Sequence, residues 1–195
     1  MDESHFQYLR HVTERRRPIR SAARTARVSA VTILVIAAGS TPLLLLSPTW
    51  QSFLAVAGLW VIGAREYIGA QQMRRGLPSA ATYLGRNQLA FIALIVVYCA
   101  IQMLTFSGAQ ARDAMISPEL QSQLAMLPSL QHDVEGQIEY WAPLVTYGLY
   151  SLVIVLSAAF QGGLASYYFS RKRHLEALTQ NTPAWIQRLF TELDV

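Results

Sequence analysis

Residues 28–64 read "VSAVTILVIAAGSTPLLLLSPTWQSFLAVAGLWVIGA", 37 positions without a charged side chain. As one helix, at about 1.5 Å per residue, this run would reach roughly 55 Å, well beyond the ~30 Å hydrocarbon core of a bilayer. One pass cannot absorb it, so the run predicts a hairpin of two membrane-spanning helices. The turn falls at "SPT", 47–49, where Ser47 supplies an N-cap oxygen and Pro48 takes the first helical position, at which no N–H is needed. Span one then covers about 28–46 and span two about 49–68. Pro42, inside "GSTP" at 39–42, predicts a kink in span one rather than a second turn.

The rest of the chain has the same character. Hydrophobic residues make up 52% and charged residues 14%, with a mean hydropathy of +0.25, an apolar balance unusual for a water-soluble domain. Two further charge-free blocks, Asn87 to Ala111 and Tyr140 to Ser170, are each long enough for one span but not for two, which places spans at about 88–106 and 143–166. The fold class that follows is all-α: an integral membrane four-helix bundle with four transmembrane spans and short amphipathic extramembrane helices. Its parts are a basic arm (1–27), a membrane domain (28–170) with an outer loop at 107–142, and a tail (171–195) carrying an amphipathic helix over 183–193.

Four spans put both termini on one side, and basic residues tell which. Arg10, Arg15, Arg16, Arg17, Arg20, Arg24 and Arg27 precede span one; Arg74, Arg75 and Arg86 lie between spans two and three; Arg171, Lys172 and Arg173 follow span four. The opposite connections hold Arg112 alone, so the positive-inside rule predicts an N-in, C-in topology with cytoplasmic termini. Trp50, Trp141, Tyr167 and Tyr168 fall where interfacial aromatic anchors are expected. A removable signal fits span one poorly, because no small-x-small cleavage site precedes "LLLL". The dominance of arginine over lysine reads as GC-rich coding and points to a bacterial inner membrane. Topology accounts for the basic residues, so neither the net charge of +4 nor the pI near 9.5 implies nucleic acid. The single cysteine, Cys99, excludes an intramolecular disulfide.

Candidate sites are few. Arg65 lies about 22 Å along span two from Trp50, near enough to the inner boundary to snorkel, while the shorter Glu66 must find partners among the cations at the same edge. The pair is expected to be an intramembrane ion pair at the boundary, with Glu66 as a proton or cation site the alternative. Gln102 and Gln161, at different depths, read as separate interhelical polar contacts. Ala158, Gly162 and Ser166 repeat at four-residue spacing, a face suited to close helix packing in this chain or between two copies. Arg20, Arg24 and Arg27 share one stripe of a helix starting at Pro18 and are expected to meet anionic lipid headgroups.

In the outer loop, Leu120, Leu124 and Leu127 form one helical face and Leu130, Val134, Ile138 and Trp141 another that feeds span four. His132, Glu135 and Glu139 line the polar side of the second, but one helix rarely closes a metal site, and a solvated acidic face is expected. The chain lacks a phosphate-binding glycine loop, a nucleophile elbow and paired catalytic acids, so neither an enzyme nor a cofactor is expected. The leading functional reading is a non-enzymatic subunit or scaffold of a membrane complex, as a homo-oligomer or with a partner membrane protein. A small oligomeric channel or transporter using Glu66 is the first alternative, and a membrane-surface enzyme the second.

Overall fold

The computed structural model describes residues 3–46, 48–107, 126 and 128–181. The regular elements among them are helices: α1 (Glu3–Leu46), α2 (Trp50–Arg74), α3 (Ser79–Leu104) and α4 (Pro128–Asn181). Each contains a segment long and apolar enough to cross a membrane: Arg16–Leu46, Trp50–Arg74, Ser79–Leu104 and Gly136–Ala177. The all-α expectation and the four apolar helices agree with the sequence reading.

The helices overrun the spans at several ends. α1 begins at Glu3 rather than at Pro18 and continues through both Pro18 and Pro42. Each proline removes one backbone hydrogen bond, a loss that the remaining turns on either side outlast. Beside Pro42, the Thr41 hydroxyl donates to the Ala37 carbonyl at 2.9 Å and accepts the Trp60 indole N–H at 3.3 Å, which ties that turn to α2. α2 is capped by Thr49 and not by Ser47, which lies outside the described residues. The Thr49 backbone is extended, and its hydroxyl accepts the Ser52 N–H at 3.1 Å. Pro48 therefore precedes the helix instead of opening it; its fixed φ suits the extended position before a cap as well as a first helical turn.

α4 joins the expected stripe at 130–141 to span four in one helix that passes Pro143. The expected helical face of Leu120, Leu124 and Leu127 and the tail helix at 183–193 lie outside the described residues.

Two compact units divide the chain, one of Met1–Leu94 with Ala159–Val195 and the other of Ile95–Ala158. In the first, α1 buries Ile19, Ala22, Ala26, Ala30, Ile33 and Ala37, a stripe at three- and four-residue spacing. Ile19, Ala22, Ala23 and Ala26 of this helix join Ala70 and Met73 of α2, Ala80, Ala81 and Leu84 of α3, and Tyr168 and Leu175 of α4 in one apolar cluster.

The turn between α2 and α3 has a defined chemistry. Gly76 adopts φ 75°, its N–H donates to Met73 O at 3.0 Å, and the Leu77 N–H donates to Gln72 O at 3.1 Å. These two bonds satisfy carbonyls that the end of α2 leaves open, and they need the left-handed conformation that glycine adopts without strain. Pro78 then prevents α2 from continuing.

In the second unit, α3 ends where the Thr105 N–H and hydroxyl both donate to Ile101 O, at 2.9 and 2.8 Å. Tyr147 of α4 donates to the Met103 carbonyl at 3.3 Å, and its ring lies 6.0 Å from that of Phe106. Cys99 and Ala142 are buried there. Along the helices, Val35, Leu46, Phe53, Leu104, Val155 and Phe160 are among the many large apolar side chains left exposed. Such a surface would drive aggregation in water and is what lipid chains solvate.

Candidate functional site

Glu66 is fully buried, with no solvent-accessible surface. The hairpin turn puts it there: Glu66 and Asn87 stand equally far from the middle of residues 75–78, so antiparallel α2 and α3 bring them level. The Asn87 Nδ2 donates to Glu66 Oε2 at 2.8 Å and to the Ile62 carbonyl at 3.0 Å. The next residue of α3, Gln88, donates through Nε2 to Glu66 Oε1 at 2.7 Å. From α4, the Tyr168 hydroxyl donates to the same Oε1 at 3.2 Å. One carboxyl group thus joins three helices through three donors.

Those donors are all neutral, and among the described residues no cation is a partner of Glu66. The expected ion pair with an edge arginine is replaced by two amides and a phenol, because the inward side of α2 at this level faces Asn87 and Gln88. Lys172, one of the cations expected near it, lies 3.8 Å from Glu176, one turn along α4. Arg65 points elsewhere, about 100° around the helix from Glu66. It is exposed, with its guanidinium carbon 5.1 Å from the centre of the Tyr83 ring, a cation–π contact between α2 and α3. Both amides turn their donor ends to Glu66, which leaves the buried Asn87 Oδ1 and Gln88 Oε1 without hydrogen-bond partners.

The remaining candidates are dispersed. Gln161 has its Oε1 buried and unpartnered, and Gln102 is half-buried on α3 in the other unit. Ala158 and Ser166 are exposed, and a Cβ added at Gly162 would meet nothing within 4 Å. Close approaches occur at other glycines instead: on α2 a Cβ at Gly69 would fall 2.5 Å from Leu84 and one at Gly63 2.8 Å from Leu34, and on α3 one at Gly85 would fall 2.6 Å from Phe169. Arg20, Arg24 and Arg27 line a cavity together with Arg16 and Arg74. Among the described residues no group of His, Cys, Asp or Glu is placed to hold a metal, and His132 is exposed.

Sequence reasoning missed Asn87, Gln88 and Tyr168. The first two had a legible signal, an adjacent polar pair opposite Glu66 once the α2–α3 turn is placed. Tyr168 had none: its neighbour Tyr167 is partly exposed with Arg171 over its ring at 4.6 Å, as an interfacial tyrosine would be, whereas Tyr168 points inward. Burial and the bond to Glu66 take Tyr168 out of the anchor role expected of both.

No family model, curated protein or solved structure matches this chain.

Proposed function

We propose that the chain is a non-enzymatic, multi-pass subunit or scaffold of a membrane complex, in which Glu66 fastens helices and carries no ions. The observation that supports this most directly is the enclosure of Glu66: a carboxyl group without solvent exposure, held by donors from α3 and α4, is built to fix helices in register. In a bilayer, apolar side chains find lipid as good a neighbour as protein, so hydrogen bonds of this kind contribute much of what specifies helix association. The open small-residue face of α4 at Gly162 suits a further helix, from a second copy or from a partner. Intact-mass measurement after extraction in mild detergent tests the assignment: a mass above the 21.7 kDa chain in fixed stoichiometry is expected, and a lone monomer would contradict it.

The positive-inside distribution of arginines supports cytoplasmic termini and residence in a bacterial inner membrane, with anionic lipids about the α1 arginines. A reporter active only in the cytoplasm should therefore work at either terminus, and one active only outside should work when inserted within 112–125. Cytoplasmic accessibility of that insertion would reverse the topology.

A second reading, a small channel or transporter with Glu66 as its ion site, is favoured by one observation. The unpartnered Asn87 Oδ1 and Gln88 Oε1 are buried acceptors beside a carboxyl group that has no counter-charge among the described residues. A proton or cation arriving there would find oxygen partners after an amide turns over.

A further inference from the structure

Among the described residues the buried Glu66 carboxyl group meets neutral partners only, and a carboxylate taken out of water costs more than neutral hydrogen bonds return. Asn87 and Gln88 are themselves fully buried, and each leaves its amide oxygen without a partner. An amide exchanges its oxygen for its nitrogen by half a turn. The Asn87 Nδ2 lies 2.8 Å from Glu66 Oε2 and 3.0 Å from Ile62 O, so the turn would set Oδ1 against two other oxygens, an arrangement that only a cation holds together. Gln88 turned the same way would bring its Oε1 against Glu66 Oε1, beside the Tyr168 hydroxyl oxygen. One end of each amide is unpartnered in either orientation, so the turn moves that defect without adding another, and compensation of the buried charge outweighs the Ile62 hydrogen bond given up.

We propose that the Glu66 cluster binds one monovalent cation of sodium's size, held in place and not passed across the membrane. This rests on the reading of Glu66 as a helix fastener and makes the ion part of the fastening. Both Glu66 oxygens, the Asn87 and Gln88 amide oxygens, the Ile62 carbonyl and the Tyr168 hydroxyl supply an all-oxygen set from α2, α3 and α4, which suits a hard cation. With one carboxylate among neutral ligands, a monovalent ion leaves the buried cluster neutral, whereas a divalent ion leaves a buried positive charge. Size is limited by packing. A larger ion would have to push α3 from α2, and Gly69, three residues on from Glu66, packs so tightly that an added Cβ would fall 2.5 Å from Leu84.

Because the site is enclosed, full-length protein is purified in detergent in sodium, potassium or choline chloride at equal ionic strength, and melting temperature is read beside binding of radiolabelled sodium. Sodium should bind saturably, one ion per chain, and at about a hundredfold its dissociation constant should raise the melting temperature by about 5 to 10 °C over choline. Potassium should give little of this rise. Glu66→Gln should melt close to wild type in choline and lose both the sodium binding and the sodium-dependent rise. Tyr168→Phe, which removes one ligand oxygen and keeps the ring, should weaken sodium binding about fivefold, a change that a purely structural tyrosine would not produce. A melting temperature indifferent to the three salts, with no saturable sodium binding, would overturn the cation site and leave the hydrogen-bonded fastening intact. Equal stabilisation by potassium and sodium, or sodium binding that survives Glu66→Gln, would overturn it as well. Failure of the fastening reading shows separately, as equal losses from Glu66→Leu and Glu66→Gln in choline.

Discussion

Glu66→Leu should destabilise the protein by about 2 to 4 kcal/mol, measured by chemical or thermal unfolding in detergent, while Glu66→Gln should cost about 1 kcal/mol or less. Leucine is close to glutamate in size, so the loss comes from polarity and not from a void. It strands the Gln88 Nε2 and the Tyr168 hydroxyl, each buried and each without another acceptor among its hydrogen bonds. Asn87 is affected less, since its Nδ2 keeps the Ile62 carbonyl at 3.0 Å. Glutamine retains one oxygen for Gln88 and Tyr168, and its new NH₂ can donate to Asn87 once that amide turns over, which gives the unpartnered Oδ1 a donor at the expense of the Ile62 bond. Equal destabilisation by leucine and glutamine would show that the hydrogen bonds do not hold the helices.

The second large effect is steric. Gly69→Ala should destabilise by about 1 to 3 kcal/mol although alanine is the better helix former by about 1 kcal/mol. The added Cβ would fall 2.5 Å from Leu84 Cδ2 and 2.8 Å from Leu84 Cγ, and Leu84 is fully buried in the core of the first unit with no direction in which to yield. Gly85 provides the control. Its added Cβ would fall 2.6 Å from Phe169, but the atoms met are the far edge of a ring that is 38% exposed and free to swing outward. Gly85→Ala should therefore be near neutral in the same unfolding assay. A stabilised Gly69→Ala would mean that α2 and α3 do not approach as closely as described.

These two sites mark what was legible in the sequence. Hydrophobic length predicted four apolar helices because the apolar runs need only be counted, and the 28–64 stretch is too long for one pass. Helix ends were less legible: Ser47 and Thr49 offer chemically equivalent caps two residues apart, and polar ends such as 3–15 and 171–181 are helical without an apolar signal. Glu66 could be singled out as an isolated carboxyl group in an apolar run. Its partners could not all be found, because Asn87 follows from hairpin register, whereas Tyr168 depends on how a helix 102 residues away is rotated. Small residues show the same limit. Spacing identified Ala158, Gly162 and Ser166 as a face able to accept another helix, but a glycine reveals where a neighbour fits and not whether one is there. Gly69, with no comparable repeat, makes the close contact.

The central claim is that Glu66 fastens the helices and does not conduct, and Glu66→Gln reconstituted in liposomes tests it most directly, with proton and potassium flux measured beside melting temperature. If the cluster is structural, wild type and variant should both pass no more ions than protein-free vesicles, with melting temperatures close together. Flux present in the wild type and abolished by Glu66→Gln at unchanged melting temperature would contradict the account and make Glu66 an ion site, since the amide keeps the shape of the side chain and removes its ability to ionise.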